Sequence, residues 1–256
     1  MMLPKLIKSN LQTVMIGQQI KYYSQLNSTN QKASELIAYN EATHGMLVVT
    51  DNQRLGKGRR NNNWFMGTEK GMAVSLILDN PLSKENTLFL PLITGVATVK
   101  SLCSHGVVPK LKWPNDLMVS SKKIGGILCE SRISSNEVKY IVIGLGINVN
   151  ETIEDLPEYL HQTATSLFIE TGEIQQRELI ISKFLNTFEM ELRKFKKDKM
   201  ELIKNWEFYC GHMNEEISFT YNGEKLFGLF LGLNSSGEAV TKMNGENKTF
   251  NSITLD

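Results

Sequence analysis

The chain has 256 residues, 41% of them hydrophobic, enough to fill one large domain or one domain with a small appendage. A net charge of +1 argues against a dedicated polyanion binder, and three widely spaced cysteines, Cys103, Cys129 and Cys210, argue against a disulfide framework or a zinc site. No apolar run approaches the roughly 18 residues of a membrane span and no secretory signal precedes the first motif, so a cytoplasmic chain is expected.

In chain order, Leu3, Leu6, Ile7, Leu11 and Val14 fall near helical spacing and predict a linker-like helix within residues 1–15. Ile20 to Tyr23 predicts an edge strand. Ser28, Thr29 and Asn30 open a helix, with Gln31 placed as in a capping box and Ala33, Leu36 and Ile37 as its apolar stripe. Met46 to Asp51 reads as a buried strand, and from its end departs the loop Gln53 to Trp64, QRLGKGRRNNNW. Gly56 and Gly58 let backbone amides approach a ligand there, while Lys57, Arg59 and Arg60 supply positive charge for phosphate or carboxylate. Alone, a basic glycine loop is a weak signal.

Gly71 to Leu78 predicts a strand and Leu88 to Leu102 a buried helix. Val107 to Lys112 then leads into Lys112 to Gly126, KWPNDLMVSSKKIGG, which sets a cation, an aromatic, a proline, an amide and a carboxylate side by side. Leu117 to Val119 reads as a strand, Ser120 to Lys122 as a polar turn and Ile124 to Leu128 as a returning strand. Such a hairpin holds Lys112, Asn115, Asp116 and Lys123 at one end of a sheet, with Gly125 and Gly126 leaving room for a ligand. A second turn is expected at Ser134 to Glu137. Lys139 to Ile147 is a strongly apolar strand running into GLGINV, which ends at Val149. No GxxxxGK[ST] loop occurs, so any nucleotide site must be built differently.

Thr165 to Leu167 starts a helix, and Gln175 to Arg193 makes a longer one with Phe184, Leu185, Phe188 and Leu192 as its apolar face. Arg193 to Lys199 reads as a solvated charged run. His161 and His212 stand isolated, without a metal-ligand partner at suitable spacing. From Glu216 onward, short alternating strands with Asn222-Gly223 and Asn244-Gly245 turns predict a small all-β appendage, joined through residues 206–213.

The two motifs, QRLGKGRRNNNW and KWPND followed by KKIGGIL, stand in the order and spacing of biotin protein ligases, which adenylate biotin and transfer it to a lysine of a carrier protein. The chain resembles that family over roughly residues 16 to 255. The resemblance implies an α+β catalytic domain over residues 16–212, with a mixed sheet and helices on one face, followed by an SH3-like β-barrel over 213–256. It implies ATP and biotin as substrates, Mg²⁺, and a biotin carboxyl carrier domain of a carboxylase as partner. Dimerisation through sheet edges and no membrane are implied as well. The winged helix-turn-helix of bifunctional members does not fit in the 27 residues before Ser28, so no specific DNA binding is expected.

Residue by residue, the resemblance puts Ser28, Thr29, Asn30, Gln53, Lys57, Gly58, Arg59, Lys123 and Gly126 around biotin. Arg60, Trp64, Asn115 and Asn148 fall to the nucleotide. Catalysis falls to Lys123, Arg59 and Asp116, with Asp116 also the candidate Mg²⁺ ligand. The chain departs from the family where Lys57 replaces the usual Arg, and Asn61 and Asn62 replace Gly-Arg. A lysine cannot form the planar fork of a guanidinium. Two rivals remain. A lipoate protein ligase shares the fold, but its RRxSGGG pattern is missing here; a non-catalytic biotin sensor is the other.

Overall fold

The computed structural model describes residues 1–79, 84–134, 137–251 and 253–255. The centre of the turn expected at Ser134 to Glu137 lies outside them.

A seven-stranded mixed sheet organises the first 150 residues. Its edge strand β1 (Ile20–Tyr23) runs parallel to β2 (Leu47–Thr50), and every other neighbour is antiparallel. The remaining members are β5 (Met72–Asp79), β6 (Lys110–Lys112), β7 (Asp116–Val119), β8 (Lys122–Ser134) and β9 (Glu137–Ile147), in the spatial order β1-β2-β5-β9-β8-β7-β6. Two short strands, β3 (Gly56–Lys57) and β4 (Asn63–Trp64), pair separately inside the glycine loop.

Consecutive residues of β2 are all buried, so both faces of the sheet need cover. Val48, Ile77 and Val142 meet Ala33 and Leu36 of α2 (Thr29–Ala38) on one side. Leu47, Val49, Leu76, Ile141 and Ile143 turn to the other side, into the core shared with α3 (Leu90–Leu102) and α5 (Arg177–Phe195). Helices therefore cover both faces, which corrects the expectation of one. Ser28 caps α2 by accepting from Gln31 N–H at 3.4 Å, but the Gln31 side chain turns to Glu35 and leaves the capping box half made.

The helical stretch 86–105, which contains α3, is long and apolar enough to cross a membrane by length and composition, contrary to expectation. It is the central core helix, packed against α5, and the hydroxyls of Thr94, Thr98 and Ser101 bond back to carbonyls of the same helix.

Residues 1–15 contain only a six-residue helix, α1 (Pro4–Ser9), and are no linker. Met2 and Ile7 are fully buried, the Met2 N–H donates to Asp51, and the N–H groups of Val14, Met15 and Ile16 donate to Glu189 of α5. The charged run after Arg193 is solvated as expected, with Lys196 to Lys199 exposed. It ends α5 and starts α6 (Lys199–Tyr209), capped by Asp198 with Glu201 three residues on, a signature visible in the sequence. Between α3 and α5 comes one more short helix, α4 (Leu167–Thr171), capped by Ser166.

Trp206 of α6 is buried against His212 and Phe230, so the junction to the appendage is part of one continuous core. Burial pushes the His212 imidazole down to about 4, and it is neutral at neutral pH. The appendage is a five-stranded sheet in the order β13-β12-β11-β10-β14, built from β10 (Glu216–Tyr221), β11 (Glu224–Leu233), β12 (Ala239–Met243), β13 (Glu246–Phe250) and β14 (Thr254–Leu255). Both Asn-Gly turns take positive φ at both residues, as a two-residue hairpin with right-handed strand twist requires.

Candidate active site

A cleft opens on the α2 face of the sheet, and its floor is the backbone of β8 and β9 at Gly126, Leu128, Gly144 and Gly146. Side chains from elsewhere press directly on these glycines. A Cβ on Gly144 would lie 2.9 Å from Asn30 Cγ, and one on Gly146 would lie 2.5 Å from the Trp64 ring.

The inner end is built from the start of α2. Ser28, Thr29 and Asn30 are all buried there. Thr29 donates to Gln53 Oε1 from its backbone N–H at 2.9 Å and from its hydroxyl at 3.2 Å. Asn30 Nδ2 donates to Glu130 Oε2 at 2.8 Å and to the Leu128 carbonyl at 3.3 Å, while its Oδ1 accepts from Ser75 Oγ at 2.6 Å. This end carries polar groups and little charge.

The outer end is cationic. Lys57 and Arg60 are exposed on the β3–β4 loop, where Arg60 adopts a left-handed φ of 54°. Arg59 is half-buried and donates to Asn115 Oδ1 at 3.3 Å. Burial, and then the neighbouring Arg60, pull its pKa below the usual guanidinium value, yet a guanidinium stays charged. Trp64 closes the loop over the floor, and its buried indole N–H has no partner among the described residues. An unpaired buried donor is costly, and in a cleft it is a natural contact for a ligand acceptor.

Across from the loop stands the β7–β8 hairpin, turned at Ser120 with φ 53°. A bulge between Leu117 and Met118 shifts the register so that Met118 faces Lys123 while Asp116 faces Gly126. Lys123 Nζ reaches back to Asp116 Oδ1 at 2.6 Å and lies 5.8 Å from the Trp64 ring centre. Its main chain is held from outside as well, donating to the Thr163 carbonyl at 2.8 Å and accepting from Thr165 N–H at 3.0 Å. Asn115 is fixed to β8 through Nδ2 and the Ile127 carbonyl, at 2.9 Å.

Every sequence-predicted site residue lines this cleft except one. Asn148 is buried outside it and spends its Nδ2 on the Thr165 carbonyl at 2.8 Å, so in this structure it fixes the segment beside Lys123. Lys112, Trp113 and Pro114 line the cleft as their place in the KWPND motif suggests. Ile253 and Leu255 also reach it from the C-terminal sheet, and nothing local in the sequence marks them. Glu130, behind Asn30, was likewise unmarked. Asp116 is the one carboxylate among the described residues lining the cleft, and no group of three or more His, Cys, Asp or Glu among the described residues could hold a metal.

Residues 22–148 match the biotin/lipoate A/B protein ligase family. The bifunctional ligase/repressor BirA of Bacillus subtilis is 35% identical over 241 residues, covering 93% of this chain and 74% of its own. The chain belongs to the biotin protein ligase family. As a member of that family it is a ligase. The biotin--[acetyl-CoA-carboxylase] ligase of Mycobacterium tuberculosis is 26% identical over 79% of this chain and 77% of its own. The biotin protein ligase of Aquifex aeolicus, solved in complex with biotin and ATP, superposes with a TM-score of 0.81 at 28% identity, covering 93% of this chain and 99% of that one. That coverage extends the likeness beyond residue 148, to parts of the fold that the family match does not reach.

Proposed function

We propose that the cleft activates biotin with ATP to biotinyl-5'-adenylate and passes the biotinyl group to a lysine of a biotin carboxyl carrier domain. One observation carries this reading: a neutral hydrogen-bonding end and a cationic end share one glycine floor. A ligand with an uncharged polar ring at one end and a carboxylate at the other fits that polarity, provided the carboxylate must meet a polyphosphate.

In the first step a biotin carboxylate oxygen attacks the α-phosphorus; the new O–P bond forms, the bond to the β-phosphate oxygen breaks, and pyrophosphate leaves. Both reactants are anionic, so cations fixed in advance lower the barrier. Lys123 supplies the central one, aimed by Asp116, with Arg59 beside it. Trp64 and Asn115 flank the nucleotide, Arg60 draws the phosphates to the mouth, and Lys57 stands on the biotin side. In the second step the neutral amine of the carrier lysine attacks the carbonyl carbon of the mixed anhydride. An amide forms, AMP leaves and the amine loses a proton. We assign Asp116 the orienting of that amine, and the proton passes to solvent.

A magnesium ion, when bound, would neutralise phosphate charge. The donor set fits one held chiefly by phosphate oxygens, because Asp116 is a single carboxylate with one oxygen already facing Lys123. We assign the C-terminal sheet to the SH3-like class and the protein to the cytoplasm, a reading supported by three free thiols, one of them exposed.

The deciding experiment is mass spectrometry of a carrier domain incubated with the protein, ATP and biotin. A gain of one biotinyl group on one lysine is expected; an unchanged mass refutes the reading. Lipoate in place of biotin should give no product.

A further inference from the structure

Behind the inner end of the cleft stands a charged side chain to which nothing in the reaction gives a role. Glu130 lies on β8, on the strand face that carries Leu128 of the cleft floor. It does not itself line the cleft, but touches Asn30, which does. Asn30 is buried, and each of its amide atoms is committed. Nδ2 faces Glu130 Oε2 at 2.8 Å and the Leu128 carbonyl at 3.3 Å, while Oδ1 faces Ser75 Oγ at 2.6 Å.

The orientation of a buried amide is set by its neighbours. A carbonyl and an ionised carboxylate can only accept, so both neighbours on that side demand the NH₂ group. The serine hydroxyl on the other side can donate or accept and imposes no choice. Glu130 makes the shorter and charge-assisted bond of the two, hence the stronger. Remove it, and only the longer contact to the Leu128 carbonyl still holds the NH₂ on that side: Ser75 can then accept from Nδ2, and the flipped amide, of opposite polarity at the cleft floor, becomes accessible.

The same strand holds α2 a second time. Arg132 Nε donates to Ser34 Oγ at 3.1 Å, and Ser34 Oγ donates to the Asn30 carbonyl at 2.9 Å. Two charged residues of β8, two positions apart on one face, thus grip the first two turns of the helix that opens with Ser28 and Thr29. Gly144 matters to the same contact, since any side chain there would displace the Asn30 amide.

We infer that Glu130 is a positioning residue for ring recognition: it locks the Asn30 amide with its oxygen toward Ser75 and Gly144, so that the inner cleft accepts N–H donors from a ligand. The inference rests on the proposed biotin reading, because a cyclic urea carries such donors. Glu130 acts through Asn30 and takes no part in the chemical step.

The test uses the full chain and measures biotin-dependent pyrophosphate release from ATP for the wild type, Glu130→Ala and Glu130→Gln, with thermal unfolding of each. Glu130→Ala should raise the biotin KM about tenfold, as expected for losing a hydrogen bond to a charged group, with kcat changed less than about twofold. Glu130→Gln is nearly isosteric and its amide oxygen can accept the same bond, so it should recover most of the KM. Wild-type preference for biotin over a ring N-methylated biotin should also shrink in Glu130→Ala. An unchanged KM in Glu130→Ala, a fall in kcat instead, or no rescue by glutamine in a stably folded variant overturns the positioning role alone. A wild type that releases no pyrophosphate with biotin overturns the functional reading and this inference with it.

Discussion

The two ends of the cleft are held in different ways. At the inner end, Thr29 and Asn30 at the start of α2 are buried and bonded to Gln53, at the root of the glycine loop, and to Ser75 of the central strand β5. At the outer end, Lys57 and Trp64 sit on the two-residue strands β3 and β4 and Arg60 on the turn between them, with two exposed cations and an indole N–H unpaired among the described residues. Rigid elements can fix a small neutral ring in advance, because its hydrogen bonds need directed partners. The loop cations can close on the phosphates as they arrive, whereas Lys123, held on β8 by its main-chain bonds to Thr163 and Thr165, is fixed in advance.

The sharpest way to break this contrast is Lys123→Ala. Losing a preorganised cation should slow adenylate formation on the order of a hundredfold or more, while biotin binding falls much less. Pyrophosphate release and biotin titration on the same sample decide it, and a parallel loss of both would merge the two ends into one.

A pair of substitutions on one strand probes rigidity directly. Gly144→Ala drives a methyl into Asn30, which is tied on three sides, and should cost about 1–3 kcal/mol of stability together with weaker biotin binding. Gly146→Ala is met first by the Trp64 ring, carried on the two-residue strand β4, and should cost less than Gly144→Ala. Chemical denaturation of both variants ranks them; a reversed order would show that the outer end is the stiffer.

Arg59→Gly tests whether the outer loop also retains the intermediate. The half-buried guanidinium is its link to Asn115, so without it reactive adenylate should escape and label bystander lysines several-fold more. Labelling is compared at equal adenylate production, and equal labelling would mean that the loop is no lid.

The smallest effect is expected from Lys122→Ala. Its Nζ bonds the His161 carbonyl at 3.2 Å, away from the Lys123–Asp116 pair, so turnover should change by less than about twofold. A crippled Lys122→Ala beside a normal Lys123→Ala would mean that the hairpin register is wrong.

Much of this molecule was determined by the sequence alone. Glycines at 56, 58, 125 and 126, cations at 57, 59, 60 and 123, and the Asn-Gly turns at 222 and 244 each impose a local backbone or charge requirement that few other residues meet. Those requirements placed the hairpins, the loop and nearly every cleft residue. Other features were decided only by packing. Asn148 follows β9 of the cleft floor, but its Nδ2 bonds the Thr165 carbonyl, whose approach depends on how the 152–166 segment folds back on Lys123. The linker-like segment became core because Asp51 and Glu189 collect its N–H groups from 49 and about 175 residues away. Ile253 and Leu255 reach the cleft, and Glu130 reaches Asn30, across separations of a hundred residues or more. Local propensity and motif spacing reach only a few residues along the chain. Which buried donor meets which acceptor is a property of the closed structure, because each such pair is chosen by exclusion of water from the whole core.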